Sequence, residues 1–505
     1  MLTLVFCLLV TALGYTQGVK RGMDTSMTPG SEHYALSIAI SDRVYGLNQG
    51  YVFHGNVFKA MWDVYVGTGQ PWDFARFRDP KILNDAIRAA ASLGSLPPGT
   101  VDNKILLSME YVDFGYVDYA KLAFAVFGLD YRSLYKLHFL LLTLSLLAFV
   151  LTFRSNPLAC VAIAAFAFAF TAEIYSTLWN IHTPTVFGVR HGSVLAIPPA
   201  LHLGLLLMWK VRATWQNALL ALVQIAILVL AVATRGVAQW AVLLLIAIAA
   251  LRFVIMLWPL WRSRVEWRMT VYKAVTESVR WPLVLTLVAL VAHGAYVRSV
   301  MHPVYDSDDV LPHHVFWHTI FMNYAPFDDD LMKYVDKGSS GDEVAFIASY
   351  NYGVERRLFS RPASYASPLV ATRMRMGLHE KLLRRMLIEH WKAYPSRPLT
   401  LYLIKKPYYL ITSYAKIVWA TYSVTMLLLN ALVLLGSATV LSAYSWSRSE
   451  GISLVGLMAL MLPLSGLSLV LTSPEKPYMG DIYITWPALI SIALALAIAW
   501  RRRLP

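Results

Sequence analysis

The sequence predicts an all-α polytopic membrane protein. Three observations carry that reading: helix-length apolar runs recur along the chain, most charge is gathered into two long polar stretches, and the short segments between apolar runs are basic. Of the 505 residues, 57% are hydrophobic and 15% charged, and the mean hydropathy is +0.52. Soluble domains carry about 25% charged residues, so this composition excludes an ordinary soluble protein. The net charge of +14 does not point to nucleic acid, because much of the Lys and Arg sits beside apolar runs, where it orients a membrane protein. Membrane lipids are the expected surroundings, and no nucleic-acid partner is expected.

Apolar runs lie near 1–16, 137–153, 157–175, 193–209, 217–233, 237–258, 281–299, 416–443, 452–472 and 483–500, which reads as about ten transmembrane helices. The chain then divides into a first transmembrane helix (1–17), a large loop (18–136), helices two to seven (137–299), a second large loop (300–414) and helices eight to ten (415–505). The first run is short, lacks a basic flank and has no small-residue cleavage site, so a retained span is expected rather than a removed signal peptide. With Met1 cytoplasmic, every connection on its side is basic: Arg154, then Lys210 and Arg212, then Arg262, Arg264, Arg268 and Lys273, then Arg448, and Arg501 to Arg503. Both termini are then cytoplasmic, and both large loops lie outside.

Trp179, Trp209, Trp215, Trp258, Trp261, Trp281 and Trp500 fall near span ends, as an interfacial aromatic belt does. Pro198, Pro199, Pro463 and Pro487 are expected to interrupt spans. Cys7 and Cys160 sit inside apolar runs and offer no disulfide or zinc framework. Helical periodicity in the polar stretches covers Tyr34–Ile40, Phe53–Val66 and about 372–394, the last ended by Pro395 and Pro398. Such helices either lie in the interface plane over a site or simply pack within their loops.

Two segments of the first polar stretch carry acids. Gly30-Ser31-Glu32-His33-Tyr34 opens a helical apolar run, with Ser31 placed to cap it and Glu32 near its positive end; capping alone explains this segment. Met109-Glu110-Tyr111-Val112-Asp113-Phe114-Gly115-Tyr116-Val117-Asp118-Tyr119 then leads through Phe127-Gly128 into the second span. This order resembles the GT-C superfamily of membrane glycosyltransferases, in the branch of protein O-mannosyltransferases and lipid A aminoarabinose transferases. Those proteins place an acid and a Tyr soon after the first span, and a turn-bearing segment with Phe-Gly before the second. The chain departs from the pattern in having one Glu where paired acids or an Asp are common, and Phe-Gly-Tyr-Val where the family has Pro-Pro-Leu.

The resemblance implies a GT-C-like fold, a bacterial cytoplasmic membrane and transfer of a sugar from a polyprenyl-phosphate donor. The acceptor is an extracytoplasmic glycan, lipid or protein, and an acidic residue is the general base. Glu32 is the first choice for that base, Asp113 the second, and Asp118 an accessory acid; solvated loop carboxylates are the competing explanation. A lipid phosphate needs cations, and those expected on the same face are Arg190 and His191 in Gly188-Val189-Arg190-His191-Gly192, Arg235, and Lys406. An Arg that merely snorkels at a span end is the common alternative.

The second polar stretch offers His302, His314, Trp317 and His318 as acceptor contacts. His314 and His318 are four apart and would share one helical face, so with Asp308 or Asp309 they form a weak candidate for a divalent metal, which nothing in the sequence requires. Asp328-Asp329-Asp330 reads as a solvated charge run. No Walker motif, Gly-rich dinucleotide loop or nucleophile elbow is present. The alternatives are a lipid-linked glycan polymerase or ligase, and a transporter or flippase, for which Glu173, His202 and His293 are the few ionisable residues near span depth.

Overall fold

The computed structural model describes residues 2–20, 29–45, 50–51, 55–67, 80–92, 114–179, 194–209, 211, 214–258, 271–272, 274–275, 278, 280–306, 316–335, 342–360, 376–409, 411–412, 424–471 and 480–502. All regular structure among them is helical. The main helices are α1 (Leu2–Lys20), α2 (Pro29–Tyr45), α3 (Gly55–Val66), α4 (Pro80–Ala91), α5 (Phe114–Phe127), α6 (Arg132–Phe153), α7 (Pro157–Trp179), α8 (Ile197–Met208) and α9 (Trp215–Thr234). They continue with α10 (Gln239–Leu257), α11 (Trp281–Val300), α12 (Trp317–Tyr324), α13 (Asp342–Glu355), α14 (Met376–Ala393), α15 (Val424–Ala443), α16 (Arg448–Leu471) and α17 (Gly480–Arg501).

Six helical stretches are long and apolar enough to cross a membrane: Arg132–Phe153, Trp215–Thr234, Gly236–Leu257, Trp281–Val300, Arg448–Leu467 and Ile484–Arg501. Four shorter apolar helices, Leu2–Thr16, Pro157–Ala172, Val194–Met208 and Val433–Ala443, fall on the remaining apolar runs. The expectation of about ten spans is thus met in place but reduced to six by length and composition among the described residues.

These helices form one bundle with a continuous apolar interior. α1 packs on α6 and α7, α17 on α7, α15 and α16, α10 on α8 and α16, and α9 on α6, α8 and α11. A polar tie crosses the middle: Ser145 Oγ donates to Gln224 Oε1 at 2.5 Å, while Gln224 Nε2 bonds the Ser145 carbonyl at 2.8 Å and His202 Nδ1 at 2.9 Å. His202 is fully buried and meets the Phe149 and Phe153 rings edge-on, so it serves helix association. One end of the bundle gathers Arg side chains on helix carbonyls. Arg252 donates to the Leu207 carbonyl at 2.6 Å, and Arg280 donates to the carbonyls of Leu206 and Trp209, so both satisfy the last turn of α8 and its negative dipole end. Arg448 lies over the Trp500 ring at that same end, and Trp209 Nε1 donates to Ser453.

The prolines behave differently from expectation. Pro198 and Pro199 occupy the first positions of α8, where a missing N–H costs nothing, and Pro463 and Pro487 are carried inside continuous α16 and α17. α2 begins at Pro29, so Ser31 stands in its first turn rather than at the cap. Pro395 follows the end of α14 as expected, but Pro398 lies within the short helix Ser396–Thr400, which runs on into a π-turn at Leu401–Lys405.

The first polar stretch is not a detached loop. α2, α3 and α4 pack on one another, α2 packs on α5, and α5 packs on α6 and α9, so their apolar residues join the bundle core. α5 itself ends at Gly128, whose φ of 88° no other residue adopts readily and whose N–H donates to the Phe124 carbonyl. The second polar stretch folds a core of its own, built from α12, α13, α14 and the segment around Leu401.

Candidate active site at the head of α5

α5 is brought to the bundle by a close helix crossing. Gly115 sits so near Ala233 that a Cβ would overlap the Ala233 backbone, and Thr234 Oγ1 lies 3.5 Å from the Gly115 carbonyl. The first turn of α5 is thereby fixed beside the end of α9, next to the half-buried Arg235. This is the end of the bundle opposite the arginine-lined carbonyls. Asp118 and Lys121 follow within one turn and share a face.

Three other elements converge on that face. α2 supplies Asp42, whose Oδ2 is 3.3 Å from Lys121 Nζ. The Gly50-Tyr51 pair places the Tyr51 hydroxyl to donate to Asp118 Oδ2 at 2.8 Å, with the ring under Lys121 Nζ at 5.3 Å. The third element is α11 with the turn after it. His302 N–H donates to the Gly50 carbonyl at 3.1 Å, Tyr305 Oη donates to the Tyr51 carbonyl at 3.0 Å, and Phe114 packs between the two tyrosine rings. Gly50 has φ of 63° and a Cβ there would strike the backbone of Val300 to His302, so only glycine fits. Tyr51 also has positive φ, at 65°. The half-buried His302 accepts the Val304 N–H on its Nδ1 at 3.1 Å, which fixes its ring in the turn after α11.

Burial raises the proton affinity of Asp118 above the ordinary carboxylate range; the Tyr51 hydrogen bond, Lys121 and His293 oppose this, and Asp42 adds to it. The Tyr51 phenol is pushed up by burial and by the neighbouring Asp118 charge, so it remains a donor. Among the described residues, the result is a half-buried carboxylate of raised basicity, steadied by one phenol and flanked by a cation. That is an arrangement suited to taking a proton.

The other expected residues are distributed as follows. Glu32 lies in the first turn of α2, about 15 Å of helix from Asp42; its side chain is outside the described residues. Asp113, Arg190, His191, Asp308, Asp309 and His314 are also outside them. His318 is not open to acceptor or metal: it is 2% exposed, its Nδ1 pairs with His379 Nε2 at 2.9 Å, and its ring meets Phe346. His379 Nδ1 in turn pairs with Ser349 Oγ at 2.7 Å. Trp317 packs on Phe316 and Trp391. Among the described residues no group of three His, Cys, Asp or Glu could hold a metal.

Asp328 also departs from expectation. It is buried, it accepts from His390 Nε2 at 2.7 Å and from Arg397 Nη1 at 3.0 Å, and it caps the short helix that follows by accepting the Asp330 N–H. Burial works against its charge, but the His390 and Arg397 contacts outweigh that and hold its carboxyl below the usual range. Sequence reasoning missed Asp42, Tyr51 and Lys121 at the α5 site. The one available signal was the Gly50-Tyr51 turn preceding a helix. Comparison of the chain with protein-family models, with curated proteins and with solved structures returned no match.

Proposed function

We propose that the protein is a membrane glycosyltransferase of GT-C-like design, with Asp118 as its general base. It moves a sugar from a polyprenyl-phosphate donor to an extracytoplasmic glycan, lipid or protein acceptor. The observation that carries this reading is the Asp118 carboxylate, half-buried at one mouth of an apolar bundle and braced by elements of both polar stretches. In the reaction the acceptor hydroxyl oxygen bonds the anomeric carbon, the anomeric carbon–phosphate oxygen bond breaks, polyprenyl phosphate leaves with the electron pair, and Asp118 takes the hydroxyl proton. The basic short connections favour an outer-face position for this mouth with both termini inside, and the family resemblance favours a bacterial cytoplasmic membrane. No nucleotide sugar is expected there, and a lipid-linked donor fits. Glu32 and Asp113 then orient acceptor or donor, and Arg190, His191 and Arg235 are the phosphate contacts.

The test is sugar transfer by the purified full-length protein in liposomes, with a panel of polyprenyl-phosphate monosaccharides and isolated envelope glycans or lipids as acceptors. Asp118→Asn keeps the shape and accepts the Tyr51 hydrogen bond but cannot take the proton, so turnover is expected to fall about 10²–10⁴-fold with donor binding retained. Near-normal turnover by Asp118→Asn together with a dead Glu32→Gln variant would move the base to Glu32. Transmembrane movement of the donor with no covalent product would overturn the transferase reading.

A further inference from the structure

Lys121 follows Asp118 by three residues on α5, a spacing at which an acid and an ammonium on one helix face each other. Its ion pair goes elsewhere. Lys121 Nζ lies 3.3 Å from Asp42 Oδ2 on α2, and the Tyr51 ring lies under the ammonium, its centre 5.3 Å from Nζ. Asp118 takes the Tyr51 hydroxyl as its hydrogen-bond donor, at 2.8 Å, in place of the ammonium. Lys406, read from the sequence as a cation for the same mouth, is instead buried in the second core against the Tyr402 ring.

Packing fixes the Asp42 end of that pair. Leu36, Ser37, Ala39, Ile40 and Ser41 are all buried where α2 packs on α5, and Asp42 follows at the edge of that contact. The side chains of Lys121 and Asp42 are 23% and 27% exposed, and an ion pair so open to solvent contributes little to stability. Its effect falls on the acid that Lys121 bypasses. An ammonium beside a carboxylate stabilises the charged form and weakens it as a base, whereas the Tyr51 phenol brings a hydrogen bond without a full charge.

We infer that Asp42 is a positioning residue for Asp118: by holding Lys121 against α2 it keeps the ammonium from pairing with the base, and so leaves that carboxylate able to take the acceptor proton. The inference rests on Asp118 being the base of the proposed transfer. Asp42 also acts directly, its own charge adding to the burial that raises the proton affinity of Asp118. Removing Asp42 therefore weakens the base twice over, once through its lost charge and once through the freed ammonium.

The other groups around Asp118 stay the same when Asp42 or Lys121 is replaced. They are the Tyr51 phenol and His293 of α11, with Tyr296 of α11 facing the Tyr51 phenol in turn. Arg235 stands at the end of α9, beside the first turn of α5. α6 meets α5 through Tyr119, whose hydroxyl donates to the Leu134 carbonyl at 2.6 Å.

The experiment titrates Asp118 without any substrate. Dicyclohexylcarbodiimide, an apolar reagent that couples to protonated carboxyl groups, is applied to the full-length protein in uncharged detergent over a range of pH, and labelling of the Asp118 peptide is read by mass spectrometry. The parent midpoint is expected above the ordinary carboxylate range, and Asp42→Asn should lower it by about one pH unit. Lys121→Met should raise it in both backgrounds, but more in Asp42→Asn than in the parent, because only there has the ammonium turned to Asp118. Melting temperatures should stay near that of the parent, since the lost pair is open to solvent. In the transfer assay the acid limb of turnover should move with the labelling midpoint, and Asp42→Asn should lower the plateau about 3-fold. An unmoved midpoint in Asp42→Asn, or equal effects of Lys121→Met in the two backgrounds, overturns the hold of Asp42 on Lys121. Midpoints that move as expected while the acid limb stays in place overturn Asp118 as the base and leave that hold standing.

Discussion

Replacing Glu380 tests how the second polar stretch holds its shape. The Glu380 carboxylate, 5% exposed on α14, accepts the backbone N–H groups of Phe316 at 3.1 Å, Trp317 at 2.8 Å and His318 at 2.7 Å. Those three are among the donors that the start of any helix leaves unpaired, so α14 supplies the N-terminal cap of α12 from 62 residues away. Glu380→Gln keeps one accepting oxygen and turns an amide NH₂ toward the remaining N–H groups. The change exchanges charge-assisted hydrogen bonds for neutral ones and strands at least one buried donor. Unsatisfied buried donors cost about 1–3 kcal/mol each, and the lost charge assistance adds about 1, so the second core should lose about 3 kcal/mol. Glu380→Ala strands all three and should lose about 4–5. Because the protein has more than one core, the assay is local: amide hydrogen exchange of α12, α13 and α14 against that of α9 and α10. Protection of the three helices is expected to drop about 100-fold in Glu380→Gln, with the bundle unchanged. Unaltered exchange at Trp317 and His318 would refute the reasoning.

Other perturbations follow from named contacts. Gly115→Ala forces α5 away from Ala233, and overpacking of this kind costs about 1–3 kcal/mol, so the melting temperature should fall and Lys121 should become more reactive to amine-modifying reagents. Burial and His318 hold His379 neutral, well below its ordinary range, whereas the unfolded chain takes up a proton near 6.5. The stability this gives is complete above about pH 6.5 and declines as pH falls below it, which thermal unfolding at pH 7.5 and pH 5.5 would show and His379→Phe should lessen. Asp328→Asn removes the partner of buried His390 and of the more exposed Arg397; with the latter discounted for solvent, about 2 kcal/mol should be lost, read as faster exchange in α14.

Much of the membrane bundle is legible in the sequence, because an apolar run long enough to span is a local property. The ten runs fall on ten apolar helices, and what composition overestimates is how many are long enough to cross. α5 is not legible: its apolar residues are interleaved with Asp118, Lys121 and five aromatics, so it reads as an approach to the next span rather than as a helix. The polar sites fared worse where partners are remote. Asp328 reads as one of three solvated acids until α14 brings His390 to it. His318 reads as half of a metal pair until His379 and Ser349 complete its chain.

Tyr51 shows the same limit and argues for the site. Its hydroxyl reaches an acid 67 residues away, which no spacing rule registers. Its backbone is left-handed, at a cost of about 1–2 kcal/mol for a residue with a Cβ. A turn alone would be better served by Gly or Asn at that position. What a tyrosine adds is a phenol directed at Asp118 and a ring packed between Lys121 and Phe114. Strain tolerated for the sake of a side chain that touches a half-buried carboxylate is strain placed where a precise geometry is needed. Tyr51→Gly should therefore relieve the backbone yet release Asp118, whereas Tyr51→Phe keeps the strain and the ring and removes only the hydrogen bond. If Asp118 is the base, Tyr51→Gly loses more activity than Tyr51→Phe, and the buried ring it deletes lowers its stability by more than the relieved backbone strain restores. Parental activity in both variants would mean that the turn, and not the phenol or the ring, is what position 51 supplies.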